Sequence, residues 1–411
     1  MSKNLHIKSS ILCFLLILSS FKAASSPRFD HLWIWEDTEN DQKTLLGLIH
    51  GYEKLLKVNV GAVIIDSPWA QAYNNFIFDK ERYPDHQKVI DEIKDKDIGV
   101  VGWITPYINN KGLKHDKFEE FTDISFKKKI FKWWKGEGYL IDFSKQEAYE
   151  RFFYQKGNEL KLFNALKVDA VAQFQPYDEW RNASMNWSRA AGKYAYDNNI
   201  KILQRGVSHQ NGLQSTPRFV DWNWGGDYTG RHEDGFKQIN DLCQSIAFGF
   251  ESPAFEISGY NPPAANANTL YKQIIVGSIF PVAILGGKNW EIYFDLIKSK
   301  PKLISALKLK EQLAEILSSN DKLICNNGYL KRNNIYVVYE QASIPVDLVN
   351  FENGEFYEMG YPLPSGVYIP TGIDFCPRSI TPFLNKKMLN INPPTEGVDK
   401  CFNTKGWHGN K

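Results

Sequence analysis

The stretch from Val63 to Asn109 restricts the folds open to this chain more than any other. A β-branched apolar run, Ala62 to Ile65, stops at Asp66 and a turn. Val89, Ile90 and Ile93 then recur at helical spacing, and a second apolar run, Ile98 to Ile104, ends in another turn. Strand, helix, strand at this spacing is a parallel βαβ unit, because strands covered on both faces are apolar throughout. Asp66 and Trp103 fall at strand C-terminal ends, where α/β barrels assemble their sites.

The same alternation continues. Strand-like runs are His31 to Trp35, Val168 to Phe174, Ile200 to Arg205, Phe219 to Trp224, Ala254 to Ile257 and Pro281 to Leu285. Helix-like patterns lie between most of them, among them Leu45 to Leu56, Tyr149 to Leu166, Ala190 to Tyr196 and Phe236 to Phe248. Eight strands with helical returns predict an α/β fold, a (β/α)8 TIM barrel, in a domain of residues 26–320. Beyond Lys322 the runs are short and β-like, broken by Gly and Pro, which predicts a small β-sandwich-like C-terminal domain over 321–411.

The first 25 residues read as a signal peptide: Lys3 and Lys8, an apolar run from Ile11 to Leu18, then Ala23, Ala24 and Ser25. That run is too short to span a bilayer, so the expected location is secreted or lumenal, with no membrane partner. Cleavage removes three lysines and no acid, taking the formal charge from +2 to −1. Such a balance gives nucleic acid no basic surface to bind. Cys243 sits on an apolar helical face, and one disulfide among Cys325, Cys376 and Cys401 is expected, its pairing open. No His-Cys or His-Glu spacing points to a metal and no Gly-rich loop to a phosphate, so no cofactor is expected. Two N-glycosylation sequons, at Asn182 and Asn186, mark an exposed loop. A carboxylate beside aromatic rings at a barrel rim suits carbohydrate, with acceptors for hydroxyls and an apolar wall for ring C–H faces.

These residues resemble the second and third barrel strands of glycoside hydrolase family 31, the α-glucosidases and α-xylosidases. The family pattern runs through an Asp after an apolar strand, a Tyr-Asn, an Arg/Tyr-Phe-Pro-Asp helix start and a Trp-x-x-Pro strand end. Asp66, Tyr73-Asn74, Arg82-Tyr83-Pro84-Asp85 and Trp103 with Pro106 stand in that order here. Further along, Gln204-Arg205-Gly206 resembles the end of strand five, where the family's Arg binds substrate. Trp224-Gly225-Gly226-Asp227 resembles the Trp-x-Gly-Asp that carries the general acid/base, and Phe255-Glu256-Ile257 resembles Asp-Ile-Gly with Glu for Asp. No counterpart of the family's large N-terminal β-sandwich is expected within this sequence. The resemblance implies catalytic Asp227, and substrate contacts from Asp66, Trp103, Arg205, Trp224 and Glu256.

Two positions depart from the pattern. The family's nucleophile ends strand four in Asp-Gly-Phe-Lys-x-Asp; Asp169 to Phe174 puts Phe174 at its place, facing the pocket. The family's strand-eight His falls on Gly286. A retaining glycosidase needs two carboxyl groups about 5–5.5 Å apart, and Phe supplies neither lone pair nor charge. Asp178 and Glu179 follow four and five residues later, within about 13 Å of extended chain, as turn acids or as a substitute nucleophile. Asp221, read as part of strand six, is a third acid that would point into the barrel. The expected function is hydrolysis or binding of terminal α-linked sugars. The alternative is an impaired pseudoglycosidase that binds a glycan or a protein partner.

Overall fold

A computed structural model of the chain describes residues 27–29, 31–36, 41–72, 75–109, 122–133, 136–155, 157–169, 178–205, 221–224, 254–256, 281–283, 295, 298–299, 324–326, 328–332, 335–338, 341–350, 355–364, 366–371, 374–375 and 402–403. The expected signal peptide lies outside them, as do Cys243, Cys376 and Cys401.

Eight parallel strands form one sheet: β1 (Leu32–Glu36), β2 (Val60–Ile65), β3 (Gly99–Ile104), β7 (Ala165–Val168), β8 (Lys201–Arg205), β9 (Trp222–Trp224), β10 (Ala254–Glu256) and β11 (Pro281–Ala283). Each of the first six pairs with the next in that order, and β11 pairs with β1, Ile34 opposite Val282. This is the wrap of a (β/α)8 TIM barrel.

Side chains divide by alternation. Trp33, Trp35, Ala62, Ile64, Val101, Ala165 and Leu203 form one buried cluster inside the sheet. Their neighbours Ile34, Val63, Val100, Leu166 and Ile202 join the outer cluster with the helices. α1 (Gln42–His50) is capped by Asp41, whose Oδ1 accepts the Thr44 backbone N–H, and it buries Leu45, Leu48 and Ile49. α2 (His86–Lys94) buries Val89, Ile90 and Ile93 on the stripe that its spacing foretold. Gly102 faces outward beneath the Phe163 ring; a Cβ there would lie 2.6 Å from ring carbons, so only Gly lets this ring seat on β3.

Between β3 and β7 the chain forms an antiparallel sheet of β4 (Tyr107–Asn109), β5 (Ser125–Trp133) and β6 (Gly136–Ile141). It starts at the C-terminal end of β3, so it grows from the mouth side of the barrel. Next come α3 (Gln146–Tyr149), a π-helical turn and the 3-10 turn Gly157–Leu162.

Three sequence-based expectations need correction. The helix read over Tyr149 to Leu166 ends by Leu162, and strand four starts at Ala165 rather than Val168. Asn164 makes the break. Its Oδ1 accepts from the Val100 N–H, its own N–H donates to Val100 O, and its carbonyl accepts from the Lys201 N–H, which binds this residue to both neighbouring strands. The sequons do not mark a loop: Asn182 and Asn186 belong to α4 (Asp178–Asp197), held by buried Trp187, Ala191 and Tyr194. Asp178 and Glu179 are likewise the first two residues of that helix rather than turn acids.

The C-terminal part is β-rich. β12 (Ile324–Asn326), β13 (Tyr329–Arg332), β14 (Ile335–Val338), β19 (Gly366–Pro370), β16 (Leu348–Asn350) and β17 (Phe356–Tyr357) make an antiparallel sheet in that order. β15 (Ala342–Ser343) pairs separately with β18 (Pro362–Leu363). Asn326 pairs with Tyr329 across a two-residue turn in which Gly328 takes φ +84°, a left-handed conformation that favours Gly. Its own core holds Tyr336, Val338, Ile344, Leu348 and Tyr368, while Ile335 and Ile369 join the barrel's outer core.

Candidate active site

The inward face of the strands turns polar as it nears their C-terminal ends. On β7 the inward series is Ala165, Lys167, Asp169, and on β2 it is Ala62, Ile64, Asp66. Two buried carboxylates therefore stand just past the ends of strands two and four, Asp66 at 5% exposure and Asp169 at 6%.

Each is clasped by an indole from the preceding strand. Trp35, next to last in β1, donates Nε1–H to Asp66 Oδ2 at 2.5 Å. Trp103, next to last in β3, donates Nε1–H to Asp169 Oδ2 at 2.8 Å. The remaining Asp66 oxygen, Oδ1, accepts the Ser67 backbone N–H at 2.6 Å, at the head of the 3-10 turn Ser67–Trp69. The backbone around the second clasp is fixed as well. Asp169 N–H donates to Ile104 O at 2.9 Å, Trp187 Nε1–H to Asp169 O at 3.3 Å, and Trp69 Nε1–H to Trp103 O at 2.8 Å.

Lys167 supplies the counter-charge. Its side chain is fully buried, with Nζ 3.2 Å from Asp66 Oδ2 and 3.4 Å from the centroid of the Trp35 ring. A buried carboxylate is tolerated when it is paired and hydrogen-bonded, and an ammonium over an indole face gains from the ring quadrupole. The arrangement offers fixed, desolvated acceptors walled by aromatic rings, which matches a polyhydroxylated ligand.

The other expected residues divide by what is described. Arg205, Trp224 and Glu256 end β8, β9 and β10, and the register places them at one level, Arg205 opposite Trp224 and Trp224 opposite Glu256. The strand order therefore brings them to the same end of the sheet as Asp66, Trp103 and Asp169. Asp178 and Glu179 open α4, the helix after strand four. Phe174, Asp227 and Gly286 lie outside the described residues.

Asp221 does not join the mouth. It precedes β9, its Oδ2 accepts the Ile202 N–H at 2.8 Å, and its Oδ1 lies 3.5 Å from Lys201 Nζ, all at the start of the strands. A cavity of about 620 Å3 opens at this opposite end, lined by Lys94, Lys201 and Asp221 among others, and is separate from the indole-clasped carboxylates. Sequence reading missed Lys167 and Asp169 as site residues. Their signal is present in retrospect: a lysine and an aspartate two apart, in phase with Ala165, mark one polar-tipped inward face. Among the described residues no group of three His, Cys, Asp or Glu is placed to hold a metal ion.

Solved structures similar to this chain carry the same fold. A dextranase of family 31 from Flavobacterium johnsoniae, complexed with glucose, superposes with a TM-score of 0.62 at 14% identity, over 85% of this chain and 52% of its own. A family 31 α-xylosidase from Xanthomonas citri gives 0.62 at 15% identity, over 85% and 47%. The chain thus spans about half the length of these enzymes. A curated relative, the myogenesis-regulating glycosidase of Mus musculus, is 26% identical over 102 residues, 23% of this chain and 14% of that protein. The domain described as the glycosyl hydrolases family 31 TIM-barrel domain matches residues 31–293, more than half of the sequence. With the eight-stranded parallel sheet falling inside that span, the chain belongs to glycosyl hydrolase family 31.

Proposed function

We propose that the barrel mouth binds the terminal sugar of an α-linked glycan and that Asp227 serves there as the acid/base carboxylate of glycoside hydrolysis. The observation that most supports this reading is the pair of buried, indole-held carboxylates, Asp66 and Asp169, at the strand ends of a family 31 barrel. Carboxylates fixed in this way accept sugar hydroxyls without reorganising, and Trp103 and Trp224 supply the apolar wall. Arg205 and Glu256, level with Trp224 on neighbouring strands, contribute further polar contacts. Glucose in the dextranase complex is the ligand class carried over here.

One sequence observation favours a second reading. Phe174 stands where the family resemblance puts the nucleophile, so the same site would hold a glycan without cleaving it. Asp178 or Glu179, at the head of α4, is the carboxylate proposed to replace the nucleophile in the active case. Carboxyl separations of about 5–5.5 Å go with retention and about 6.5–9.5 Å with inversion through a water.

The test uses purified protein with aryl α-glucosides and α-xylosides, followed by binding and by release of the aryl group. Turnover that is abolished by Asp227→Asn supports the hydrolase, and Asp178→Asn and Glu179→Gln then identify the second carboxylate. Binding without turnover, with turnover appearing in Phe174→Asp, supports the second reading. Absence of both binding and turnover sinks the two together.

A further inference from the structure

Lys167 lies outside the family's strand-four pattern, which begins two residues later at Asp169. It lies beside Trp103 and Leu203 in the register, directly above the apolar interior of Ile64, Val101 and Ala165, and its side chain is fully buried. A charge in such a layer carries a large desolvation penalty, and an apolar side chain of similar volume fills the space without it. What the ammonium does and an apolar group cannot is to lie 3.2 Å from Asp66 Oδ2 while stacking on the Trp35 ring.

We propose that Lys167 is a positioning residue that sets both the charge and the orientation of Asp66, so that this corner of the mouth takes a neutral hydroxylated sugar and rejects a cationic one. The inference rests on the sugar-binding reading of the mouth. Asp66 Oδ2 already takes two donors, the Trp35 indole and the Lys167 ammonium, and Oδ1 takes the Ser67 N–H. A carboxylate has roughly four acceptor directions, which leaves about one, on Oδ1, for a ligand hydroxyl. An incoming hydroxyl therefore meets a fixed acceptor whose charge is cancelled from behind. A ligand ammonium meets the like charge of Lys167 instead, and the charge-assisted hydrogen bond it would make to a bare carboxylate is weakened. Asp169, with Oδ2 held by Trp103, stands at the same end, where Arg205 and Glu256 end their strands as well.

The experiment is calorimetric titration of methyl α-glucoside and of its protonated 2-amino-2-deoxy counterpart, at mildly acidic pH. It compares the wild-type chain with Lys167→Met and with Asp66→Asn/Lys167→Met. Wild type is expected to favour the neutral sugar. In Lys167→Met the neutral-to-cationic ratio falls by about tenfold or more, the size of one charge-assisted hydrogen bond. A purely structural role for Lys167 would weaken both ligands alike and leave the ratio unmoved. The double variant keeps neither charge, so it folds without a stranded ion and loses the preference; it carries the test if the single variant does not fold. A wild-type ratio in either variant that folds overturns the role of Lys167 alone. No binding of either sugar by wild type overturns the sugar reading and this inference with it.

Discussion

Strand pairs one–two and three–four end in the same clasp, an indole reaching one strand over to the carboxylate just past its neighbour's end, and they differ in what else is packed around it. Asp66 has an ammonium inside the contact, and the partners of Asp169 include the Trp103 indole on its carboxylate and the Trp187 indole and Ile104 carbonyl on its backbone. The sheet repeats the hydrogen-bond geometry because parallel register places equivalent positions side by side. The ammonium of the first clasp comes from Lys167, on the same strand that carries the second carboxylate. Strand four thus couples the two clasps, since Lys167 and Asp169 share its inward face.

The hardest blow to that comparison is Lys167→Ala. It leaves Asp66 buried without its counter-charge, and the expected loss is about 3–5 kcal/mol in denaturant unfolding. Asp66→Ala strands the ammonium in the same way, and the double variant should recover part of the sum in a double-mutant cycle. A loss under about 1 kcal/mol for either single change would show that the pair is solvated rather than buried. The two indoles sharpen the contrast. Trp103→Phe removes a hydrogen bond to a carboxylate and should lose about 1.5–3 kcal/mol, with Trp35→Phe at the lower end because Lys167 still holds Asp66. Equal losses would mean that Lys167 contributes nothing to the first clasp.

Ile64→Val removes one methylene from the apolar interior beneath the clasps without touching charge, and about 0.5–1.5 kcal/mol is expected from thermal unfolding. The smallest effect belongs to an exposed ion pair that serves as a control. Arg151 Nη2 lies 2.6 Å from Asp123 Oδ2 and also pairs with Glu147, tying the start of β5 to α3. The hydrogen bond from Arg151 holds the Asp123 carboxyl below its ordinary value, against the opposing effect of burial. A depressed carboxyl stabilises the fold above the unfolded-state value of about 4, and that contribution disappears as pH falls through the lowered folded-state value. Arg151→Ala should lose under about 1 kcal/mol and flatten this acid limb, and high salt should mask the difference; the Lys167–Asp66 pair should be insensitive to salt.

The sequence made the barrel legible where strands were apolar throughout. Ala62 to Ile65 and Ile98 to Ile104 lie within a residue or two of β2 and β3, and Asp66 and Trp103 fall at the strand ends expected of them. Strand four was not legible, and the cause is physical. Buried parallel strands read as continuous apolar runs, but β7 has Lys167 among its four residues, and the helical spacing before it ran on through Leu166. Only tertiary partners reveal the break at Asn164: the Val100 and Lys201 amides that it satisfies lie on strands remote in sequence. The acids at 178 and 179 look like turn formers in isolation, and they became a helix head because Trp187, Ala191 and Tyr194 found the outer core. Arg205 and Trp224 end the strand-like runs that the sequence shows, and Glu256 stands one residue before the end of its run; that the three share one level is a property of register, which no single strand encodes.

The pairing of β11 back onto β1 sets a condition on how the chain comes into being. Trp33 and Pro281 are neighbours in the sheet, yet about 250 residues separate them, so the contact is among the slowest kind to form. At ordinary rates of synthesis, on the order of 10 to 50 s pass between the emergence of one partner and the other. Through that interval the open side of β1 is a bare parallel edge, rich in tryptophan, and able to pair with the same strand of a neighbouring nascent chain. Arrival of β11 is therefore also the moment at which the first strand stops being a hazard to other copies of itself.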